Sequence, residues 1–399
     1  MSPRYKFDRR EFAGSLGDLG TLLPIAIGMI LINGLNPSGV FFSIGLFFIL
    51  SGVYYGVTVP IQPMKVIGAY AIATAIGPPK IFASGFVMGA FLLLIGLTGA
   101  ITAIGKYTPK SVVRGVQLST GILLTVQGIR FMIGNSPFQL LRQAVEPHLS
   151  VQSLGPIPLS IVIGIVGGVA TLLFLENRRL PAGFIVVLGG MAVGAVLGTH
   201  EGFGNLRFGI NIPQVMPSGF PSRPDFTYAV LLLVLPQIPM TLGNAVIAYA
   251  DLSEEYFGKD SKKVTYRSAC VSMALANLGS FLLGGMPLCH GAGGLAAHYR
   301  FGARTAGSNL IIGTIFAALG LFLGSHALSV VYLIPISILG VLLVFAGSQL
   351  ALSVIDVKER KDLFVALLML GMTLASNLAV GFVIGFAMAY ALKSDRLSI

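Results

Sequence analysis

Residues 59–68 read VPIQPMKVIG, and long apolar stretches flank them on both sides. Two prolines, a glutamine and a lysine stand where a membrane-crossing helix would otherwise run. Proline removes a backbone donor and breaks a helix interior. A lysine at the centre of a membrane helix costs at least roughly 2.5–3.5 kcal/mol. Unwound backbone at that depth is tolerated only inside protein or beside a water-filled cavity. The stretch therefore marks an interrupted span, and with it a candidate site, in a membrane protein.

The remaining sequence agrees with that setting. The 399 residues are 55% hydrophobic and 10% charged, against about 25% charged in soluble domains. The 51 glycines suit helices that approach closely in lipid. Fourteen spans are read at 15–33, 39–57, 61–76, 81–104, 111–130, 157–175, 181–198, 228–250, 266–284, 288–299, 307–324, 327–349, 362–377 and 379–393. With the N-terminus inside, Lys and Arg divide twenty inside to five outside, Lys106, Arg178, Arg179 and Arg396 being among the twenty. The positive-inside rule then places both termini in the cytoplasm, in a plasma or cell inner membrane. The net charge of +11 is thus a topology signal, and a nucleic-acid partner is not expected. The charged N-terminal MSPRYKFDRREF runs straight into the first span, so no cleavable leader is expected. Cys270 and Cys289 lie in apolar sequence and imply neither a disulfide framework nor a zinc site.

Three other segments break the apolar pattern: GSLGDLGTLLPIAIG (14–28), LPQIPMTLGNAVIA (235–248) and GGMPLCHGAGGLAAHYRFG (284–302). Two of the four interruptions fall in each half, on either side of a Pro/Gly-rich stretch near the midpoint. This divides the chain into a first transmembrane repeat (1–200), a linker (201–227) and a second repeat (228–399), with no soluble domain. Matching interruptions in two halves point to a transporter site at the repeat interface. Seven spans per half make the second half inverted relative to the first.

Each interruption offers chemistry. In the first half, Gln62 brings amide donors and Lys65 a positive charge. Pro63 suits the first turn of a following helix, whose open N–H groups and dipole attract anions. Lys65 snorkelling to the interface is the structural alternative. Gln237, Thr241 and Asn244 recur at helical spacing, so they form one polar face toward a cavity or a neighbouring helix. His290 is a candidate donor or proton carrier, or a packing histidine. Gly291, Gly293 and Gly294 allow close backbone approach. Asp18 is the carboxylate near a span start and Thr21 lies one turn on; an intramembrane Asp suggests proton coupling, and helix capping is the plainer reading. No metal-ligand set, nucleophile motif or ATP-binding loop is present in the sequence, so no metal, cofactor or enzymatic activity is expected.

The stretches GDLGTLLPI, PIQPMKVI, PQIPMTLGNAV and PLCHGAGGLAAHYRFGAR resemble the molybdate branch of the sulfate permease (SulP) superfamily. The resemblance implies an all-α seven-plus-seven inverted repeat with core and gate subdomains, like that of uracil permeases. It implies transport of molybdate or sulfate coupled to protons, with oxyanion contacts at Gln62, Lys65, Gln237, Asn244 and His290, and Asp18 and Thr21 as lining or coupling residues. Typical SulP members carry a C-terminal STAS domain, and the molybdate branch commonly lacks it. This sequence ends at ALKSDRLSI just after the last span, which fits that branch. The expected partners are a small inorganic oxyanion, protons and the lipid bilayer, and a homodimer is compatible with the fold. The competing readings are an anion channel on the same fold, or a transporter for bicarbonate or a nucleobase. A nucleobase site favours buried carboxylates and stacking aromatics, whereas the second-half motifs contain no carboxylate.

Overall fold

The computed structural model describes residues 4–101, 109–177, 180–198 and 207–394. The basic residues Lys106, Arg178, Arg179 and Arg396, and linker positions 201–206, lie outside the described residues.

The first half runs α1 (Arg9–Ser15), α2 (Leu19–Leu31), α3 (Pro37–Tyr55), strand β1 (Gln62–Pro63), α4 (Lys65–Thr74), α5 (Pro78–Thr98), α6 (Lys110–Ile133), α7 (Pro137–Arg142), a short β2–β3 hairpin (Ser153–Leu154 and Ile157–Pro158), α8 (Leu159–Phe174) and α9 (Ala182–Leu197). The second half runs α10 (the continuous helical stretch Arg223–Ser261), α11 (Tyr266–Leu282), β4 (Leu288–Cys289), α12 (Ala292–Arg300), α13 (Ala306–Val331), α14 (Ile336–Asp356), α15 (Arg360–Ala375) and α16 (Leu378–Ala391). Among the described residues, six helices are long and apolar enough to cross a membrane, or seven when the bent pair α1–α2 counts as one span. Helices α4, α8, α9 and α16 are apolar and shorter.

Local sequence explains many of the boundaries. Asn36 caps α3 by accepting from the Ser38 N–H, Pro37 opens its first turn, and Gly56 closes it at φ 77°. Asparagine at the cap, proline just inside and glycine just past the end each suit the backbone required there.

Three pairings organise the helices: α3 lies along α13, α5 along α11, and α6 along α14. The α6–α14 crossing depends on small residues. A Cβ on Gly121 would come within 2.4 Å of the Gly347 carbonyl oxygen, and one on Gly128 within 2.4 Å of that of Gly340. Backbone therefore meets backbone, as at small-residue crossings in membranes.

Two expectations are corrected. The 235–248 segment is not a break: α10 is continuous, with π-helical turns at Ala229–Val234 and Thr241–Ala248 on either side of Leu235–Met240. Pro236 and Pro239 lack the N–H that an α-helix needs, and the wider π turns absorb the fault without unwinding. The span expected from 327 begins instead at Ile336, because Pro335 disfavours helical backbone before it and suits a helix start. Residues 327–331 close α13.

Two of the three remaining interruptions meet. Strands β1 and β4 pair antiparallel, Gln62 opposite Cys289 and Pro63 opposite Leu288, and Met64 N–H donates to the Pro287 carbonyl at 2.9 Å. All four strand residues are buried. Their open backbone is satisfied by asparagines from the adjoining helices. Asn309 of α13 accepts from Val59 N–H at 2.9 Å and donates to its carbonyl at 2.8 Å. Asn277 of α11 does the same for Leu288, at 3.1 and 2.7 Å. Buried backbone polar groups must be paired, and these two amides pair them.

Candidate functional site

Beside the β1–β4 crossing lies a cavity of about 440 Å³ whose wall includes Asp18, Thr21, Gln62, Lys65, Asn244 and Gly293. These six residues come from α2, β1, α4, α10 and α12, so both halves of the chain contribute. Arg300 and Gln349 also line it and are exposed, which marks its mouth. Arg114, Gln117 and Ser353 stand on the same wall.

Lys65 is the first residue of α4 and is partly buried. Among the described residues its ammonium has no ion-pair partner within 4 Å and no hydrogen bond. Arg114 is committed: its guanidinium donates to both carboxylate oxygens of Asp356 and, at 2.7 Å, to Gln117 Oε1. Asp18 stands at the start of α2, yet its side chain caps nothing there. Its Oδ2 accepts from Gln62 Nε2 at 2.6 Å. Helix α12 begins at Gly291 with no side-chain cap, and Gly293 in its first turn is exposed to the cavity. The wall thus combines a lysine without an ion pair or hydrogen bond among the described residues, primary amides and an uncapped helix start, a set that suits a small anion.

Three expected ligands do not line this cavity. Gln237 is 1% exposed, and its Oε1 accepts from the N–H groups of Val66 and Ile67 at 3.0 and 3.3 Å. It caps α4, so the anion-attracting N–H groups expected at that helix start are already taken. Its Nε2 donates to Thr241 Oγ1 at 2.9 Å, which occupies Thr241 as well. His290 is fully buried, with Nδ1 donating to the Pro60 carbonyl at 3.0 Å and Nε2 accepting from Ser272 Oγ at 2.7 Å. Its ring stacks on Tyr249 at 4.8 Å. These bonds make it a packing histidine in this state. Pro63 belongs to β1 and not to a helical first turn, because pairing with Leu288 holds it extended. Gly291 and Gly294 pack against Gln62: a Cβ on either would come within 2.1 Å of Oε1 or 2.7 Å of Nε2.

The cavity also contains residues that sequence reasoning did not single out. Arg114 and Arg300 are two of the twenty basic residues counted on the inside, and in the sequence they carry only that topology signal. Among the described residues, no group of three His, Cys, Asp or Glu could hold a metal ion.

Residues 10–124 and 229–350 match a protein family described as molybdate transporter of the MFS superfamily. Molybdate transporter 2 of Arabidopsis thaliana is 32% identical over 419 residues, covering 96% of this chain and 87% of that protein. Among solved structures, the murine Solute Carrier 26 family member A9 anion transporter in the inward-facing state superposes with TM-score 0.68 at 15% identity, over 98% of this chain and 70% of that one. The transmembrane domain of the cyanobacterial bicarbonate transporter BicA gives TM-score 0.62 at 15% identity, over 95% and 96%. The likeness to these solved structures is one of fold, while the sequence family is that of the molybdate transporters. The chain belongs to this molybdate transporter family and is a multi-pass membrane transporter.

Proposed function

We propose that this member of the molybdate transporter family is a secondary active transporter that takes up molybdate, a divalent tetrahedral oxyanion, together with protons. The observation that carries the reading is Lys65: a partly buried ammonium on a cavity wall that, among the described residues, has no ion-pair partner within 4 Å and no hydrogen bond. Asn244 and the uncapped start of α12 add donors near it, and the Gln62 amide, whose NH2 is held by Asp18 here, stands beside them. Sulfate has the same charge and shape, and is a competing substrate at such a site. Asp18 is the coupling carboxylate and Thr21 lines the path beside it.

The fold reading accompanies this function. Fourteen spans as a seven-plus-seven inverted repeat, with 201–227 as the linker between halves, are supported by the helix pairing. Counting α2 to α6, α8 to α14, α15 and α16 as spans, the α5–α11 and α3–α13 contacts exchange under a shift of seven. The α6–α14 contact maps onto itself. Arg300 at the cavity mouth and Arg114 on its wall are both on the side that the Lys/Arg count assigns to the cytoplasm. On this reading the transporter sits in the plasma membrane with its cavity open to the cytoplasm, and a homodimer is compatible with the fold.

The test is uptake of labelled molybdate into proteoliposomes under an imposed pH gradient, with sulfate as competitor. Saturable uptake that follows the gradient supports the reading. Non-saturable flux indifferent to the gradient indicates a channel.

A further inference from the structure

One side chain in the cavity wall connects the proton to the anion. Gln62 is 1% exposed, and its Nε2 is held by Asp18. Its Oε1 is buried and, among the described residues, has no hydrogen-bond partner. That oxygen packs against Gly291, where a Cβ would lie 2.1 Å from it and 3.4 Å from Asn244 Nδ2. The amide therefore spans from Asp18 on one side to buried Gly291 and the wall residue Asn244 on the other.

A carboxylate only accepts hydrogen bonds, whereas a carboxylic acid also donates one. Ionised Asp18 claims the NH2 of Gln62 and leaves Oε1 on the Asn244 side. An acceptor there repels an oxyanion. Protonated Asp18 can donate its O–H to Oε1, and the amide then presents NH2 instead. We propose that the Gln62 amide turns over with the protonation of Asp18, so that the proton converts an anion-repelling acceptor into an anion-binding donor. This rests on the proton-coupled reading above and supplies its linkage. If a proton on Asp18 tightens anion binding, the bound anion tightens proton binding by the same factor. Proton and oxyanion then load together and leave together, and no covalent bond changes.

The groups around Asp18 are compatible with such a switch. Lys65 of α4 and His298 of α12 interact with it electrostatically, and the neutral Cys289 thiol of β4 lies nearby. His298 is anchored by Nδ1 donating to the Gly14 carbonyl at 2.7 Å. Glu11 of α1 accepts from the amides of Arg304 and Thr305. Arg114 of α6 is held by Asp356, and Arg300 stands at the mouth.

The experiment measures molybdate binding to the purified full chain in detergent, at the acid and alkaline ends of the range where it stays folded. Wild-type affinity should weaken toward alkaline pH. Gln62→Met removes the amide while keeping its length. It should weaken binding about ten- to hundredfold at the acid end, the range for a donor lost from a charged partner, and little at the alkaline end. An equal penalty at both ends overturns the switch and leaves the pH dependence to the Asp18 charge alone, with proton coupling intact. Asp18→Asn gives a second measure that does not depend on the folding of Gln62→Met. It should bind at alkaline pH as tightly as wild type does at acid pH; binding as weak as alkaline wild type also overturns the switch. Wild-type affinity independent of pH overturns both the inference and the coupled reading.

Discussion

The side-chain oxygen of Gln237 accepts a hydrogen bond from the backbone N–H of Val66 at 3.0 Å, across 171 residues of sequence. It thereby caps the helix that begins with Lys65. Replacing Gln237 by Met leaves two buried N–H groups at that helix start without their acceptor. A lost cap costs about 0.5–2 kcal/mol, and a buried unsatisfied donor about 1–3 kcal/mol. The expected outcome is a lower melting temperature of the purified protein, measurable before any molybdate is added. An unchanged melting temperature would show that the cap carries no stability.

Lys65→Gln keeps donors and removes the charge. A charged hydrogen bond is worth about 1.5–3 kcal/mol, so molybdate binding should weaken roughly ten- to hundredfold. Lys65→Arg should lose function too, since a planar fork does not replace a compact ammonium in a tight site. Equilibrium binding to folded protein decides this. Wild-type affinity in Lys65→Gln would leave the anion to Gln62, Asn244 and the α12 backbone.

Asp18→Asn should uncouple transport from the proton gradient. The variant keeps the size of the side chain and loses its titratable group. Labelled molybdate should still exchange across proteoliposomes but no longer accumulate under an inward proton gradient. For the wild type, each coupled proton supports about tenfold accumulation per pH unit. Gradient-driven accumulation by Asp18→Asn would remove Asp18 as the obligatory proton site.

Neighbouring glycines of α12 should respond in opposite ways. A Cβ at Gly294 would come within 2.7 Å of Gln62 Nε2 and 2.8 Å of Asp18 Oδ2, whereas one at Gly293 meets nothing within 4 Å. Gly294→Ala must displace the Asp18–Gln62 pair and should abolish gradient-driven uptake. Gly293→Ala should fold at least as well as wild type, because alanine favours a helix by up to about 1 kcal/mol over glycine. Parallel uptake and melting measurements separate the two.

Glu146, in the connection after α7, accepts from the N–H groups of Ile336 and Ser337 at 2.8 and 3.0 Å and so caps α14. Burial outweighs these bonds and pushes its carboxyl above the usual glutamate range. The folded state therefore holds this proton more tightly than the unfolded chain does. Its contribution to stability falls as pH rises from the ordinary glutamate value to the raised one. His148, which burial holds down to about 4, acts with the opposite sign as pH falls. The difference between wild type and Glu146→Gln isolates the glutamate: the wild type should lose stability relative to the variant across that window. Parallel melting curves against pH test it.

Much of the architecture was legible because lipid makes it so. A proline pair or a lysine inside an apolar run is too costly to be incidental, and 59–68 and 284–291 did mark the crossing strands. The PQIPM segment has the same composition and was misread, because π turns can absorb a proline without breaking the helix. Which donor a polar side chain meets is a tertiary fact. Gln237 lies on the polar face that spacing assigns it, yet the nearest unmet groups there are the amides of Val66 and Ile67. Asn277 and Asn309 gave no signal, since one asparagine in an apolar helix looks the same whether it faces lipid, a neighbour or an open strand. Arg300 was visible, but its sign was already explained by topology.

The short ladder between β1 and β4 also constrains how the protein is made. Pro63 and Cys289 meet across 226 residues of chain, so the first half enters the bilayer long before its partner strand exists. Until then Gln62 and the Val59 backbone have neither the opposing strand nor Asn309 to satisfy them. Exposed polar backbone in hydrocarbon is costly at each unmet group, and contacts this distant in sequence form late. A chain released after the first half would carry a permanently open edge at its centre, a form that membrane quality control can recognise. The feature that joins the two halves at the site therefore makes assembly all-or-none: neither half can complete the crossing alone.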